Sequence, residues 1–180
     1  MENIMIDLET LGTAPGSVIL SIGAVEFDET GTGRTFYSRL NPEMQVQKFG
    51  MKIDAATVVW WMRQSDEARG EFSSSLGENS PWRAVTEFSQ FFRATGAEYV
   101  WGNGPSFDCC NLSALFRAVG KEAPWRFYNE RCFRTLYFLA PNPQRPAHRV
   151  GTAHNALHDA RAQAIAAADM LAQLKGKAAL

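Results

Sequence analysis

The most constraining feature of this chain is the run Ser17-Val-Ile-Leu-Ser-Ile-Gly-Ala-Val-Glu-Phe27. Its β-branched residues favour extended chain, and its length predicts a long strand. Residues 3–8, before it, are short and apolar. After it, Glu29-Thr30-Gly31-Thr32-Gly33 is a turn signal and Arg34 to Leu40 alternates as a further strand. Three extended segments joined by short connections predict an antiparallel meander.

The pattern then changes period. Asp54 is placed to cap a helix running to about Arg69, with Val58, Trp61 and Met62 at helical spacing. Ser73 to Ser80 reads as a polar loop. Ser80-Pro81 opens a second helix, with Val85, Phe88, Phe91 and Phe92 as its apolar stripe. Glu98 to Trp101 reads as a short strand, and Phe107 to Val119 as a helix ended by Gly120. Pro141 to Arg149 is a proline-rich loop. A last helix runs from Ala156 to about Leu174, with Leu157, Ala160, Ala164, Ala168 and Leu171 on one face, small enough to pack close against a sheet. Strands first and helices after predict one layered α/β or α+β domain over residues 1–180.

Composition narrows the function classes. At 46% hydrophobic and 21% charged the chain is no disordered polymer. No apolar run approaches the roughly 20 residues needed to span a bilayer. The start, Met1-Glu2-Asn3-Ile4-Met5-Ile6-Asp7, has neither a basic region nor a long apolar one, so no signal peptide and no membrane partner are expected, and a cytoplasmic location is. Cys109, Cys110 and Cys132 form no C-x-x-C and no disulfide framework; they read as free thiols. The net charge is −1, but unevenly spread. Residues 1–116 hold 8 Lys/Arg against 15 Asp/Glu, a balance of −7, whereas residues 117–161 hold 8 against 3, a balance of +5. The basic segment is mostly arginine, which suits phosphate; it also fits an ordinary solvated surface.

Three local patterns carry chemistry. In Asp7-Leu8-Glu9, alternation puts both acids on one face, about 6.6 Å apart along a strand end. Such a pair costs free energy unless a cation compensates it or water solvates it. Asp108 follows Trp101-Gly102-Asn103-Gly104-Pro105-Ser106-Phe107; it reads as a helix-starting acid or as part of a site. In His154-Asn155-Ala156-Leu157-His158-Asp159-Ala160, five residues separate His154 from Asp159, which on a continuous helix leaves them about 140° apart. They converge only if His154 sits on the loop before the helix.

Taken together, D-x-E near the N-terminus, F-D in the middle and H-x-A-x-x-D-A near the C-terminus resemble the DEDDh branch of the DnaQ-like (RNase T-like) 3′→5′ exonucleases. Asp7-Leu8-Glu9-Thr10-Leu11-Gly12 resembles the first motif and Ser21-Ile22-Gly23-Ala24-Val25 the following strand. Val59-Trp60-Trp61-Met62-Arg63-Gln64-Ser65, Phe107-Asp108 and the run from His154 to Ala160 are most similar to a group of phage-type exonucleases and a mycobacterial exoribonuclease. Many relatives carry an asparagine four residues before the middle aspartate; here Gly104 stands there and Asn103 one step earlier. His158 stands where close relatives often carry an acid.

The resemblance implies a ribonuclease H-like α/β fold, a mixed central sheet flanked by helices. It implies metal-dependent 3′→5′ hydrolysis of single-stranded or 3′-overhang RNA or DNA, with RNA slightly favoured, releasing nucleoside 5′-monophosphates. Two divalent ions stabilise attacking and leaving oxygens in such reactions, and all-carboxylate ligation selects Mg²⁺ or Mn²⁺. By resemblance, Asp7, Glu9 and Asp159 hold one ion, Asp7 and Asp108 complete the other, and His154 is the general base. Thr10, Leu11, Trp60, Trp61, Arg145 and Arg149 are the candidate substrate contacts. Trp60 and Trp61 point about 100° apart on a helix, so either one faces a cleft or both are core. Leu11 reads as a wedge between bases or as packing, Arg145 and Arg149 as phosphate ligands or solvated charge, and Phe107 and Phe116 as core. Some similar enzymes are dimers, which leaves a homodimer open. The rival readings are a catalytically silent nucleic-acid-binding module on the same fold, and an α/β domain whose acids are caps and surface charge.

Overall fold

A computed structural model describes residues 1–72, 79–143 and 154–178. The meander forms as expected: β1 (Asn3–Thr10), β2 (Ile19–Asp28) and β3 (Gly31–Arg39) pair antiparallel in sequence order. The chain then crosses through helices to β4 (Tyr99–Gly102) and β5 (Glu130–Cys132). β4 pairs parallel to β1 and β5 parallel to β4. The sheet order is β3-β2-β1-β4-β5, a mixed sheet with β1 at its centre.

Helices cover both faces. α1 (Pro42–Phe49) follows β3, then α2 (Ala55–Met62), the short α3 (Asp66–Arg69), α4 (Pro81–Thr95) and α5 (Asp108–Ala118). α6 (Phe133–Leu139) follows β5, and α7 (Ala156–Ala178) closes the described chain. Asp54 caps α2 as expected, its side chain accepting from the Ala56 N–H. The helix expected through Arg69 stops at Met62. Ser65 then caps α3 by accepting from the Ala68 N–H, a local bond that competes with helix continuation. Met62 consequently lies exposed. α1, β5 and α6 are additions to the sequence reading; each is short and lacks a sustained apolar period. Among the described residues, no helix is long and apolar enough to cross a membrane.

Two clusters of buried side chains sandwich the sheet. Ile4, Ile6 and Leu8 of β1 pack with Ile22 and with Val85, Phe88, Leu112 and Phe116 from α4 and α5. Met5, on the opposite face, packs with Val25, Phe27, Trp101 and the α7 alanines Ala160, Ala164, Ala167 and Ala168. Period-two alternation carries the Met5 face on to Asp7 and Glu9. The two acids therefore lie under α7.

That approach is unusually close. Gly23 pairs with Asp7 across β1 and β2. A Cβ at Gly23 would fall on the backbone of Ala156 and Leu157, at the first turn of α7. Backbone has no rotamer with which to yield. Gly23→Ala should therefore push the start of α7 off the sheet and cost about 1–3 kcal/mol, typical of overpacking. A urea midpoint indistinguishable from wild type would show the helix tolerates the displacement.

Candidate active site

The carboxylates come from three elements. Asp7 and Glu9 sit at the C-terminal half of the central strand. Asp108 is the first residue of α5, 2% exposed, directly after the β4–α5 loop. Gly102, the last residue of β4, makes room for it: a Cβ there would come within 2.8 Å of Asp108 Oδ2. Asp159 lies in the first turn of α7. His154 precedes that helix, as convergence with Asp159 demands, and its φ of +62° is left-handed. Its backbone N–H donates to Asp159 Oδ2 at 3.0 Å, which ties loop and helix together. One ligating atom each of Glu9, His154 and Asp159 lies within 4.8 Å of the others.

The electrostatics are those of like charges out of water. Burial is the main cause raising the Asp7 carboxyl well above the ordinary range, reinforced by Asp108, Glu9 and Asp159 and opposed by the Gln163 amide. Burial, with Asp159, Glu71 and Asp108, pushes Glu9 up to about 9. Burial likewise raises Asp108 to about 7, against backbone hydrogen bonds and the Arg134 guanidinium, which favour its charged form. Hard oxygen donors in this state suit a divalent cation, which replaces the bound protons and cancels the repulsion.

Several residues that matter to this geometry carry no motif. Gln163, one turn beyond Asp159, donates its amide to Asp7 Oδ1 at 2.9 Å, and its buried Oε1 has no hydrogen-bond partner among the described residues. Glu71, 2% exposed, accepts from the Tyr37 hydroxyl at 2.9 Å and from the Asn155 amide at 2.6 Å, with Arg39 Nε 3.8 Å away. Asn155 in turn caps α7 by accepting from the His158 N–H. The residue after His154 is thus anchored to the β3 side of the sheet through a buried acid. The H-x-A-x-x-D pattern located His154; nothing in the sequence linked it to Glu71, which is 84 residues from Asn155.

A cavity of about 460 Å³ opens beside the acids, lined by Glu9, Thr10, Thr57, Trp60, Trp61 and Phe107 among others. The two tryptophans divide their work. Trp61 is buried and donates Nε1 to the Thr10 carbonyl at 2.9 Å; Trp60 is 43% exposed, with its ring edge-on to His154 at 5.0 Å. Thr10 Oγ1 donates to the Gly12 carbonyl. Leu11 is buried in the core cluster and does not line the cavity. Phe116 is core, whereas Phe107, expected to be core, is half-buried and lines the cavity because it terminates the loop ahead of α5. Arg145 and Arg149 lie outside the described residues. Asn103 accepts from Arg134 Nε at 3.2 Å, and Gly104 has φ +112°, a conformation that an asparagine there would adopt only with strain.

Against known proteins, residues 2–171 match the model of the Rv2179c-like 3′-5′ exoribonuclease domain. The chain belongs to this Rv2179c-like family. It is thereby an enzyme domain of the DnaQ-like 3′-5′ exonucleases, as its motifs led us to expect. It is 25% identical over 160 residues to the exodeoxyribonuclease of Enterobacteria phage T4, covering 75% of this chain and 70% of that protein. In fold it is similar to E. coli exonuclease I, solved with a dT13 oligonucleotide (TM-score 0.66, 16% identity). That likeness covers 98% of this chain and only 42% of exonuclease I. It is also similar to exonuclease X, solved with 5′-overhanging duplex DNA (TM-score 0.55, 16% identity, 94% of this chain and 90% of that one). These matches establish the ribonuclease H-like fold for this Rv2179c-like chain.

The raised carboxyls have a measurable consequence. A folded-state value above the unfolded one means the native protein holds protons that the unfolded chain releases, so their stabilisation is present at low pH and lost as pH rises through the folded value. For Glu9 that window runs from its ordinary value of 4.5 to about 9. In EDTA the melting temperature should fall as pH is raised across this window, and saturating Mn²⁺ should flatten the fall by binding the ionised carboxylates. Identical profiles with and without Mn²⁺ would contradict metal binding by this cluster.

Proposed function

We propose that this domain hydrolyses single-stranded or 3′-overhang nucleic acid from its free 3′ end, releasing nucleoside 5′-monophosphates, with RNA slightly favoured over DNA. The observation that carries the reading is the convergence of Asp7, Glu9, Asp108 and Asp159 beside His154 on one cleft. The family description supports RNA, while the phage relative is an exodeoxyribonuclease, so both polymers belong to the test. The presence of all five residues together supports catalysis over a binding-only module. A single domain spanning residues 1–180, in the cytoplasm, is part of the same proposal.

Asp7, Glu9 and Asp159 would hold one divalent ion, and Asp7 with Asp108 a second. Mg²⁺ or Mn²⁺ would supply charge neutralisation and Lewis acidity at the scissile phosphate. His154 takes the proton from the attacking water at an imidazole nitrogen; imidazole is the side chain whose ordinary titration lies nearest neutrality. The Asp159 carboxylate orients it indirectly, by accepting the His154 backbone N–H. Gln163 leaves Asp7 one oxygen committed to its amide, which restricts the carboxylate's rotation. Trp60 offers an exposed ring for the terminal base, and Trp61 holds the Thr10 backbone beneath it. The assignments of Leu11, Arg145 and Arg149 as substrate contacts stay open to mutation.

Labelled oligonucleotides test the reading directly. With Mg²⁺ or Mn²⁺, a 5′-labelled RNA or DNA strand should give a descending ladder, a 3′ label should leave at once as a mononucleotide, and EDTA should stop both. Cleavage of a circular single strand, or full activity in EDTA, would overturn it. His154→Ala should slow single-turnover hydrolysis about 10²–10⁴-fold, the usual contribution of a general base, with little change in Mn²⁺ affinity. His158→Ala should be nearly silent; a crippled His158 variant beside an active His154 variant would reassign the base. Trp60→Ala should raise KM while metal binding persists, whereas Trp61→Ala should cost about 3–5 kcal/mol of stability, as loss of a buried aromatic does. Reversal of those two phenotypes would exchange the roles.

A further inference from the structure

The candidate active site repels its own substrate. Four carboxylates face a polyanion, and their cations neutralise only that spot. Attraction for the rest of the strand must come from elsewhere. The basic segment after residue 116 is the natural source; among its described residues, Arg134 is the arginine that acts on Asp108. Two of its companions meet a third arginine elsewhere.

Arg93 at the end of α4, Arg117 at the end of α5 and Arg126 in the following loop line one cavity of about 550 Å³. That volume suits a nucleotide-sized group. All three are exposed, and among the described residues none of their side chains makes an ion pair or hydrogen bond. This holds although Glu122 and Glu130 share the cavity wall. Glu130 is committed instead to Trp125, whose Nε1 donates to it at 3.0 Å. By contrast, Lys121 sits 3.9 Å over the Trp82 ring and donates to the Thr86 hydroxyl. Beside the arginines, Phe127 and Tyr128 stand 81% and 64% exposed as an edge-to-face pair. Exposed aromatic faces next to unpaired guanidiniums are the two elements with which proteins hold single-stranded nucleic acid: rings for bases, forks for phosphates.

We propose that this arginine cavity is a second binding site, for the phosphodiester backbone of a single strand upstream of the 3′ end being cut. The inference rests on the reading of the acidic cleft as a 3′-end exonuclease site. α5 connects the two sites: Asp108 begins it and Arg117 lies nine residues on, about 14 Å along the axis. At about 3.4 Å per stacked nucleotide, that is roughly four nucleotides. The cavity therefore serves strands longer than about five nucleotides and contributes nothing to a trimer.

The test compares a trimer with a dodecamer, each as DNA and as RNA, in the triple variant Arg93→Ala/Arg117→Ala/Arg126→Ala. Dodecamer affinity is read in EDTA, where no hydrolysis is expected. It should fall tenfold or more, and the slope of log K against log salt should shrink by about 0.7 for each phosphate that the arginines no longer neutralise. With Mn²⁺, kcat/KM should drop for the dodecamer and hold for the trimer. The single charge reversal Arg126→Glu repeats the measurement should the triple variant melt early. Unchanged dodecamer affinity, as expected if the cavity serves an acidic protein instead, overturns the proposal. So does an equal loss for trimer and dodecamer. A wild-type protein that binds the dodecamer through these arginines but digests nothing with any metal would sink the exonuclease reading and leave this site standing.

Discussion

Asp7, Glu9, Asp108 and Asp159 lie together; burial and the neighbouring acids oppose ionisation of Asp7 and Glu9, and burial opposes that of Asp108. Holding like charges together out of water requires a rigid frame, because any looseness lets them separate into solvent. The frame is the central strand, buried on both faces between two apolar clusters. The helices then bring the remaining acids to it. Two glycines decide how near they come: Gly23 admits the first turn of α7, and Gly102 admits the Asp108 side chain.

Beyond the acids, the neighbouring polar groups are arranged to limit motion. Gln163 grips Asp7, and Asp159 grips the His154 backbone. Glu71 joins Tyr37, Arg39 and Asn155, so a buried acid is compensated by two hydrogen-bond donors and a guanidinium drawn from β3 and the residue before α7. The strained φ of His154 is thereby held from both sides: Asp159 accepts its own N–H, and Glu71 accepts the amide of its neighbour Asn155. Preorganisation of this kind suits the general base proposed for His154, since misplacement by an ångström is costly in rate.

Charge is divided along the molecule in the same spirit. Acids concentrate at the C-terminal half of β1, and three arginines that make no ion pair among the described residues gather around the far end of α5. On the proposed reading, a polyanion would meet attraction at one place and chemistry at another. The separation would let strand length, rather than base identity, govern how firmly a substrate is held.

The periodicities of the chain were sufficient for the meander, for α4 with its Phe88 stripe and for the alanine face of α7, because local pattern and burial agree there. The three motifs, through their resemblance to the DEDDh exonucleases, singled out four acids and His154, and the fold brings those residues together. Sequence also required His154 to stand outside the helix, since helical geometry forbids convergence otherwise. It left open which of Trp60 and Trp61 faces the cleft; that depends on how α2 sits over β1, where the Trp61–Thr10 bond turns one ring inward. Nothing local marked Glu71 or Gln163, and the basic segment by itself did not place Arg117 and Arg126 beside Arg93. Their partners lie dozens of residues away and meet only when the layers pack, and pairing across such separations leaves no period or spacing in a single sequence. Tertiary structure alone decided those positions, because it alone sets which distant polar groups share a buried space.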